Sequence, residues 1–493
     1  MSTFNEYLRT LLQDKHLSVA ALSRLSGIER TAIQKALSGQ RVLPYDTLSQ
    51  LSYCLRLTPQ EHQRLYHYYS ALFDSESIRR SRQIIDQLFS ELSNLNFTAP
   101  PFEETHLLLS LDEYAGDKTI FAGNTNIQPL LRLILAEELI RDDARIELTV
   151  PPSADFLNNS ILEQYLHGPT TANITQIIAF DSSGMPEDIN LHNLDCFRQI
   201  LPACLFSNKH YQPYYYYENN VAAQYTEPFP YFLLTHNCVI CLSSDCTRAM
   251  LLRTAEQVAY FHQHFQVLLK QCYNLVQYTT DPVEMLNAYQ RCTDNDGFYM
   301  VMDQPCFGRF YPNEKITEFI HPELPFYKEL VSASQQRFTN LSQVEHFYTL
   351  FSEQGVRRYL QTGMLDDFPT AFVKIFTPEW RVHVIRQLAA AIRSGNVVGC
   401  MLQKDVFPDY LSLCTSQVSG IGFFTTAQFP LSEGICSIQI QEPNLCRAFH
   451  DWLTHLPNSE QTLTTTETAD ILDNLVTQSM QFCKENHHVT EAK

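Results

Sequence analysis

The chain has 493 residues, of which 44% are apolar and 18% charged, with a net charge of −19. That is enough chain and enough apolar surface for about two to four packed domains, and it excludes a disordered or fibrous protein. No stretch approaches the roughly 18 apolar residues of a membrane-spanning helix, and residues 1–10 lack the apolar core of a signal peptide, so a cytoplasmic protein is expected.

The charge is unevenly placed. Residues 1–94 hold 11 Lys plus Arg against 9 Asp plus Glu, a net of +2, while the rest holds 24 against 45, a net of −21. Salt screens charges beyond about 8–10 Å, so an acidic body does not prevent a mildly basic head from meeting phosphate. The fourteen cysteines are scattered, as in a reducing compartment rather than a disulfide framework. Cys238, Cys241 and Cys246 lie closest together, but no second pair follows at a zinc-site spacing. Their surroundings, YFLLTHNCVICL, predict a buried strand in which the thiols act as small apolar groups.

From the N-terminus, Phe4, Tyr7, Leu8, Leu11 and Leu12 repeat at the helical period and predict a first helix ending near Lys15. Ser18 is an N-cap for a second helix that runs to Ser26 and stops at Gly27. A third runs from Arg30 to Leu37 and is closed by Ser38-Gly39. Pro44 opens a fourth with Leu48, Leu51 and Leu55 inward. Thr58-Pro59-Gln60-Glu61 starts a fifth, with Leu65, Tyr68, Tyr69 and Leu72 as expected buried positions. Residues 75–95 predict a connecting helix with Ile78, Ile85, Leu88, Phe89, Leu92 and Leu95 on one face, to be laid on the body or against a second copy.

After Ala99-Pro100-Pro101 the texture changes. Residues 144–150, 174–180 and 231–242 predict strands, with a helix over 254–275. From 276 the pattern repeats, with strands in GNVVGCMLQ, YLSLCTS, GIGFFTT and ICSIQIQ and helices over 445–456 and 466–483. Both segments carry a strand followed closely by an amphipathic helix, without enough shared letters to relate them. The expected fold is therefore multidomain: an N-terminal all-α five-helix domain (1–72), a connecting helix (73–97), and a large α/β (α+β) body divided at 98–275 and 276–493.

The string SVAALSRLSGIERTAIQKALSGQRVLP, residues 18–44, carries the functional expectation. Two helices that meet through a short turn need a small residue at their contact (Ser23), glycine at the turn (Gly27) and apolar locks (Leu22, Ile28, Ile33). This stretch resembles the Cro/C1-type (XRE-like) helix-turn-helix family of phage repressors and bacterial regulators. The resemblance covers about residues 4–70, including Ser38-Gly39-x-Arg41 and Leu57-Thr58-Pro59-x-Glu61. It implies a helix-turn-helix over 19–38 with a recognition helix near 30–37. Arg30, Thr31, Gln34 and Lys35 then face bases, and Ser18, Gln40 and Arg41 face phosphates. Val19 replaces a glutamine common in the family, and Leu12 and Leu37 replace a buried Arg–Glu pair.

By that resemblance the chain is expected to be a DNA-binding transcription regulator, acting as a homodimer on an operator, whose body senses a small molecule, a peptide or a partner. A peptide-responsive regulator with a helical body, or a repressor without a small-molecule ligand, are the alternatives. No enzymatic activity, cofactor, catalytic group or metal site is expected: the glycine-rich phosphate loops, Gly-x-Ser-x-Gly and His-Glu-x-x-His are missing. His262 and His264 lie about 200° apart on a helix and cannot share a metal, and His487-His488 are expected in a disordered tail. The run Tyr211, Tyr214, Tyr215, Tyr216, Tyr217 with Tyr225, Phe229 and Tyr231 is expected to pack as loop and strand, the alternative being an aromatic-lined pocket.

Overall fold

A computed structural model of the chain describes residues 4–70, 72, 75–97, 110–167, 172–182, 189–218, 227–293, 297–368, 370–416, 419–431 and 437–490. The head consists of five short helices, α1 (Phe4–Asp14), α2 (Val19–Ser26), α3 (Arg30–Leu37), α4 (Tyr45–Cys54) and α5 (Pro59–Ser70). Local chemistry sets their ends. Ser18 accepts the Ala21 N–H as the α2 N-cap, and Gly27 closes α2 at φ 69°, where an L side chain is strained. Thr58 and Glu61 cap α5 reciprocally: the Glu61 N–H reaches the Thr58 hydroxyl at 3.3 Å and the Thr58 N–H reaches the Glu61 carboxylate at 2.7 Å. Leu8, Leu22, Ile33, Leu48, Leu51 and Leu65 are fully buried at the centre. Leu72, expected inside, is 40% exposed, because α5 ends at Ser70 and its inward face ends with it.

Helix α6 (Glu76–Ser93) starts at the Ser75 cap and lays its apolar face on the body rather than on a second copy. Its Phe89 ring meets Trp452 at 4.8 Å and Phe407 at 4.7 Å. Arg82 pairs with Asp451 at 2.7 Å and the Trp452 indole N–H donates to Asp86.

The first half of the body runs α7 (Leu111–Ala115), β1 (Ile120–Ala122), α8 (Asn124–Leu139), β2 (Arg145–Leu148), α9 (Asp155–His167), β3 (Asn173–Asp181), α10 (Leu191–Phe206), β4 (Tyr211–Glu218), β5 (Tyr231–Leu234), β6 (Val239–Leu242), β7 (Arg248–Leu252), α11 (Ala255–Leu269) and β8 (Tyr273–Asn274). Its sheet has the order β1-β7-β6-β5-β2-β3-β4-β8, parallel only through β2-β3-β4. The second half runs β9 (Gln277–Thr279), α12 (Pro282–Arg291), β10 (Gly297–Met302), α13 (Ile316–Phe319), α14 (Tyr327–Gln343), β11 (His346–Phe351), α15 (Glu353–Thr362), α16 (Pro378–Arg393), β12 (Val398–Met401), β13 (Leu411–Ser416), β14 (Gly420–Thr425), β15 (Ser437–Ile440), α17 (Pro443–His455) and α18 (Thr465–Thr490). Its sheet has the order β12-β11-β10-β13-β14-β15-β9, parallel only through β12-β11-β10.

The fold is thus mixed helix and sheet in more than one unit. Apart from the edge strand β8, which the second sheet lacks, the two sheets share one topology. In each, three parallel strands joined by helices step outward from the first (β2, β3, β4; β10, β11, β12). An antiparallel meander then fills the other side of that first strand (β5, β6, β7; β13, β14, β15), and the strand that opens the unit (β1; β9) pairs with the end of the meander. Helices α6, α10 and α17 lie between the halves in one continuous apolar core that takes in Ile146 and Ile174 of one sheet and Val301 and Phe423 of the other.

Several expectations change. Residues 231–242 are a hairpin, β5 and β6, not one strand, because the Thr235 N–H donates to the Cys238 carbonyl across a tight turn. Helix α11 stops at Leu269 and the chain re-enters the sheet as β8. Residues 487 and 488 lie within the last turns of α18, not in a disordered tail. The tyrosines from 211 to 217 form β4, paired with β3 along its length, and Tyr225 lies outside the described residues. Cys238, Cys241 and Cys246 are free, the first two buried in the hairpin. His262 bonds Glu147 at 2.7 Å. Among the described residues no helix is long and apolar enough to cross a membrane.

Candidate functional site

The head is built around the corner between α2 and α3. Ser23 on α2 donates its hydroxyl to the Ile28 carbonyl at 2.6 Å, bridging the turn, and the Gly27 N–H bonds the Ser23 carbonyl at 2.9 Å. Ser26 donates to the Leu22 carbonyl, and the Gln50 side-chain amide reaches from α4 to the Ser26 carbonyl at 2.7 Å. These bonds satisfy the carbonyls left open where α2 ends and hold α3 at a fixed angle to it.

Helix α3 buries Ile33, Ala36 and Leu37 against the head core. At about 100° per residue Arg30, Gln34, Thr31 and Lys35 follow in that order along an arc that begins beside Leu37 and turns away from the core, and all four are exposed. Ser18, Gln40 and Arg41 are exposed as well. The seven residues expected to meet nucleic acid are therefore all exposed, at the start of α2, on α3 and in the loop after it. Two carry additional roles. Ser18 caps α2, and the Thr31 hydroxyl donates to Glu29 at 3.4 Å, so an acidic group stands beside the row. Among the described residues Arg30, Lys35 and Arg41 enter no ion pair.

Sequence reasoning missed the outer supports. Arg9 on α1 donates to the Leu37 carbonyl at 2.7 Å and so closes the C-terminal end of α3. Lys15 pairs with Glu61 at 2.6 Å, tying α1 to α5. Burial opposes the charge of Glu61, but the bonds from Lys15 and Thr58 outweigh it and hold the carboxyl below its usual range. Leu12 and Leu37, which replace the family's ion pair, are both buried, and Val19 packs on the same core. The partners of these supports are 24 to 46 residues apart, so no local signal marks them.

A second polar cluster lies outside the carboxyl ends of β10 and β11. Asp303 follows β10, accepts the Ser352 hydroxyl that caps α15, and receives Arg358 at 2.6 Å. Arg358 also bonds Asp366, whose N–H meets the Gln304 side chain at 3.0 Å. Gly355 has no room for a side chain: a Cβ there would stand 2.0 Å from the Asp303 carbonyl. Burial pushes the Asp366 carboxyl up to about 6 despite Arg358.

The chain matches no family model and no curated protein. Among solved structures it is similar to a polyphosphate kinase from Porphyromonas gingivalis, at 11% identity over 89% of this chain and 65% of that one, with a TM-score of 0.22. This match is with an enzyme. It corrects the whole-chain expectation of a transcription regulator with a ligand-sensing body and no enzymatic activity, which is not carried further. At that identity and TM-score the likeness brings neither a fold nor an activity to this chain, which spans just under two thirds of the kinase's length.

Proposed function

We propose that residues 4–70 form a helix-turn-helix module that binds double-stranded DNA, with α3 in the major groove. The observation that carries this reading is the row Arg30, Gln34, Thr31 and Lys35, which stands in solvent on a helix whose other face is locked into a core. Arg and Lys match the acceptors of guanine, and Gln matches adenine. Ser18, Gln40 and Arg41 flank the row where the phosphate backbone passes. Residues 4–70 hold 8 Lys plus Arg against 5 Asp plus Glu, so the head attracts phosphate while the body does not.

One helix covers few base pairs, so two copies on half-sites about 34–36 Å apart supply useful specificity. Their contact is a surface other than the apolar face of α6, which the body already covers. The reading is confined to the head and assigns no activity to the two-sheet body.

The test is titration of the full chain onto labelled duplex DNA at rising salt. Log affinity should fall linearly with log salt, and Arg41→Ala should weaken all duplexes alike. Affinity indifferent to salt, or unchanged when Arg30, Lys35 and Arg41 are all replaced by alanine, would overturn the reading.

A further inference from the structure

Helix α14 carries Arg337, whose side chain is 3% exposed. Its guanidinium carbon stands over the Tyr289 ring, 4.1 Å from the centroid, and that ring stacks on Phe424. The nearest carboxylate oxygen belongs to Asp367 and stands 3.8 Å from Nη2, beyond hydrogen-bond reach. Its Nε–H is buried and meets no protein acceptor. The Cys306 thiol also meets the guanidinium, but leaving the buried Nε–H without an acceptor costs on the order of 1–3 kcal/mol. Opposite charges are thus held facing one another with an unbridged gap between them.

The gap opens on a hollow of about 320 Å³, mouth included, whose polar lining is Gln304, Cys306, Tyr311, Arg337 and Asp367. It shares Tyr311, Phe338, Leu365 and Phe368 with a neighbouring hollow of about 390 Å³ that is otherwise lined mainly by apolar side chains, among them Ile316, Ile320 and Val373. The pair of hollows lies beside the segment that leaves β10, outside the carboxyl end of a strand in a parallel unit, where open sheets of this kind place their ligands. A polar head site with one cation and one anion therefore leads into an apolar chamber.

We propose that this cavity binds a free α-amino acid with an apolar side chain. Its carboxylate bonds the Arg337 guanidinium, its ammonium bonds the Asp367 carboxylate, and its side chain enters between Phe338 and Phe368. Charge balance selects the zwitterion. Arg337 and Asp367 already neutralise each other, so a plain carboxylic acid would leave a buried negative charge and a plain amine a buried positive one, both costly. The zwitterion adds no net charge and bridges the gap with charge-assisted hydrogen bonds. The hollows are narrow, so binding displaces the two phenylalanine rings. This site is independent of the DNA reading.

The experiment is calorimetric titration of the full chain with L-leucine and L-phenylalanine. The comparison ligands are isocaproate, which lacks the amine of leucine, and isoamylamine, which lacks its carboxylate. One of the amino acids should saturate a single site, and each truncated analogue should bind at least about tenfold more weakly. Asp367→Asn and Arg337→Met should each lower amino-acid affinity by about tenfold or more. Should Arg337→Met fail to fold, the analogues on the unaltered chain and Asp367→Asn still decide. Absence of saturable binding by either amino acid, isocaproate binding as tightly as leucine, or full affinity in a folded Asp367→Asn protein would overturn the proposal.

Discussion

At the scale of single residues, Lys35 and Arg41 are both exposed cations of the head, yet substitution should separate them. Lys35 stands on the outward arc of α3 and Arg41 in the loop beyond it. A base contact is worth about 1–3 kcal/mol of discrimination, whereas a phosphate contact adds affinity without choice. Lys35→Ala in the full chain should relax preference at one or two positions of each half-site when bound sequences are selected from a random DNA pool. Arg41→Ala should leave the selected sequences unchanged, and a changed motif would place Arg41 on a base. In the body, Asp366 links the fold to pH. Burial raises its carboxyl from the ordinary 3.8 to about 6, so the folded chain holds this proton more tightly than the unfolded one. The contribution therefore favours folding below about 4 and is lost as pH rises through about 6. Asp366→Asn should flatten that part of the stability profile by up to about 3 kcal/mol, read as thermal midpoints across the range. A profile as steep as that of the unaltered chain would show that another group governs it.

At the scale of elements, the five head helices were legible to within about a residue because local chemistry makes several of their ends. Serine and threonine caps, a capping box and glycine turns act over three or four positions. The corner between α2 and α3 depends on Gly27, which sits at φ 69° with nothing within 4 Å of an added Cβ. Gly27→Ala thus meets no clash and costs only the left-handed conformation, about 1–2 kcal/mol. Amide hydrogen exchange in α2 and α3 should accelerate by about five- to thirtyfold, while the body is unchanged; equal protection would mean that the corner does not limit opening. Strand elements were less legible. Thr235, His236, Asn237 and Cys238 form a turn without glycine or proline, and apolar residues flank it on both sides, so periodicity alone read one strand where two pair. The helix expected to reach 275 ends at Leu269 because the next residues join the edge of the sheet at β4, a competition that local propensity does not register.

At the scale of the molecule, α6 is the strut between head and body. Phe89 is fully buried and packs on Phe407, Phe449 and Trp452, and Arg82 and Asp86 add polar ties to α17. Truncating a buried aromatic costs about 3–5 kcal/mol, so Phe89→Ala should lower the thermal midpoint of the body in calorimetry. An unchanged midpoint would mean that α6 is only laid on the surface. The head also touches the body directly, through a 2.9 Å bond from the Tyr68 hydroxyl to Glu460. Burial and that carboxylate push the phenol up to about 12.

The sequence by itself determined the five short helices of the head and their inward leucines, which follow from spacing within a few residues; the row from Arg30 to Lys35 was singled out by the family resemblance. It also marked about half of the strands of the body, because apolar runs and turns are local, but not β1, β7, β8, β9, β10 or β11. Only the tertiary structure decided how those strands pair, that both sheets repeat one topology, that α6 spends its apolar face on the body, and that Arg337 faces Asp367 across a hollow. Those features join residues tens to hundreds of positions apart. They depend on which buried surfaces meet and which charges are stripped of water, and neither is written in any short stretch of chain.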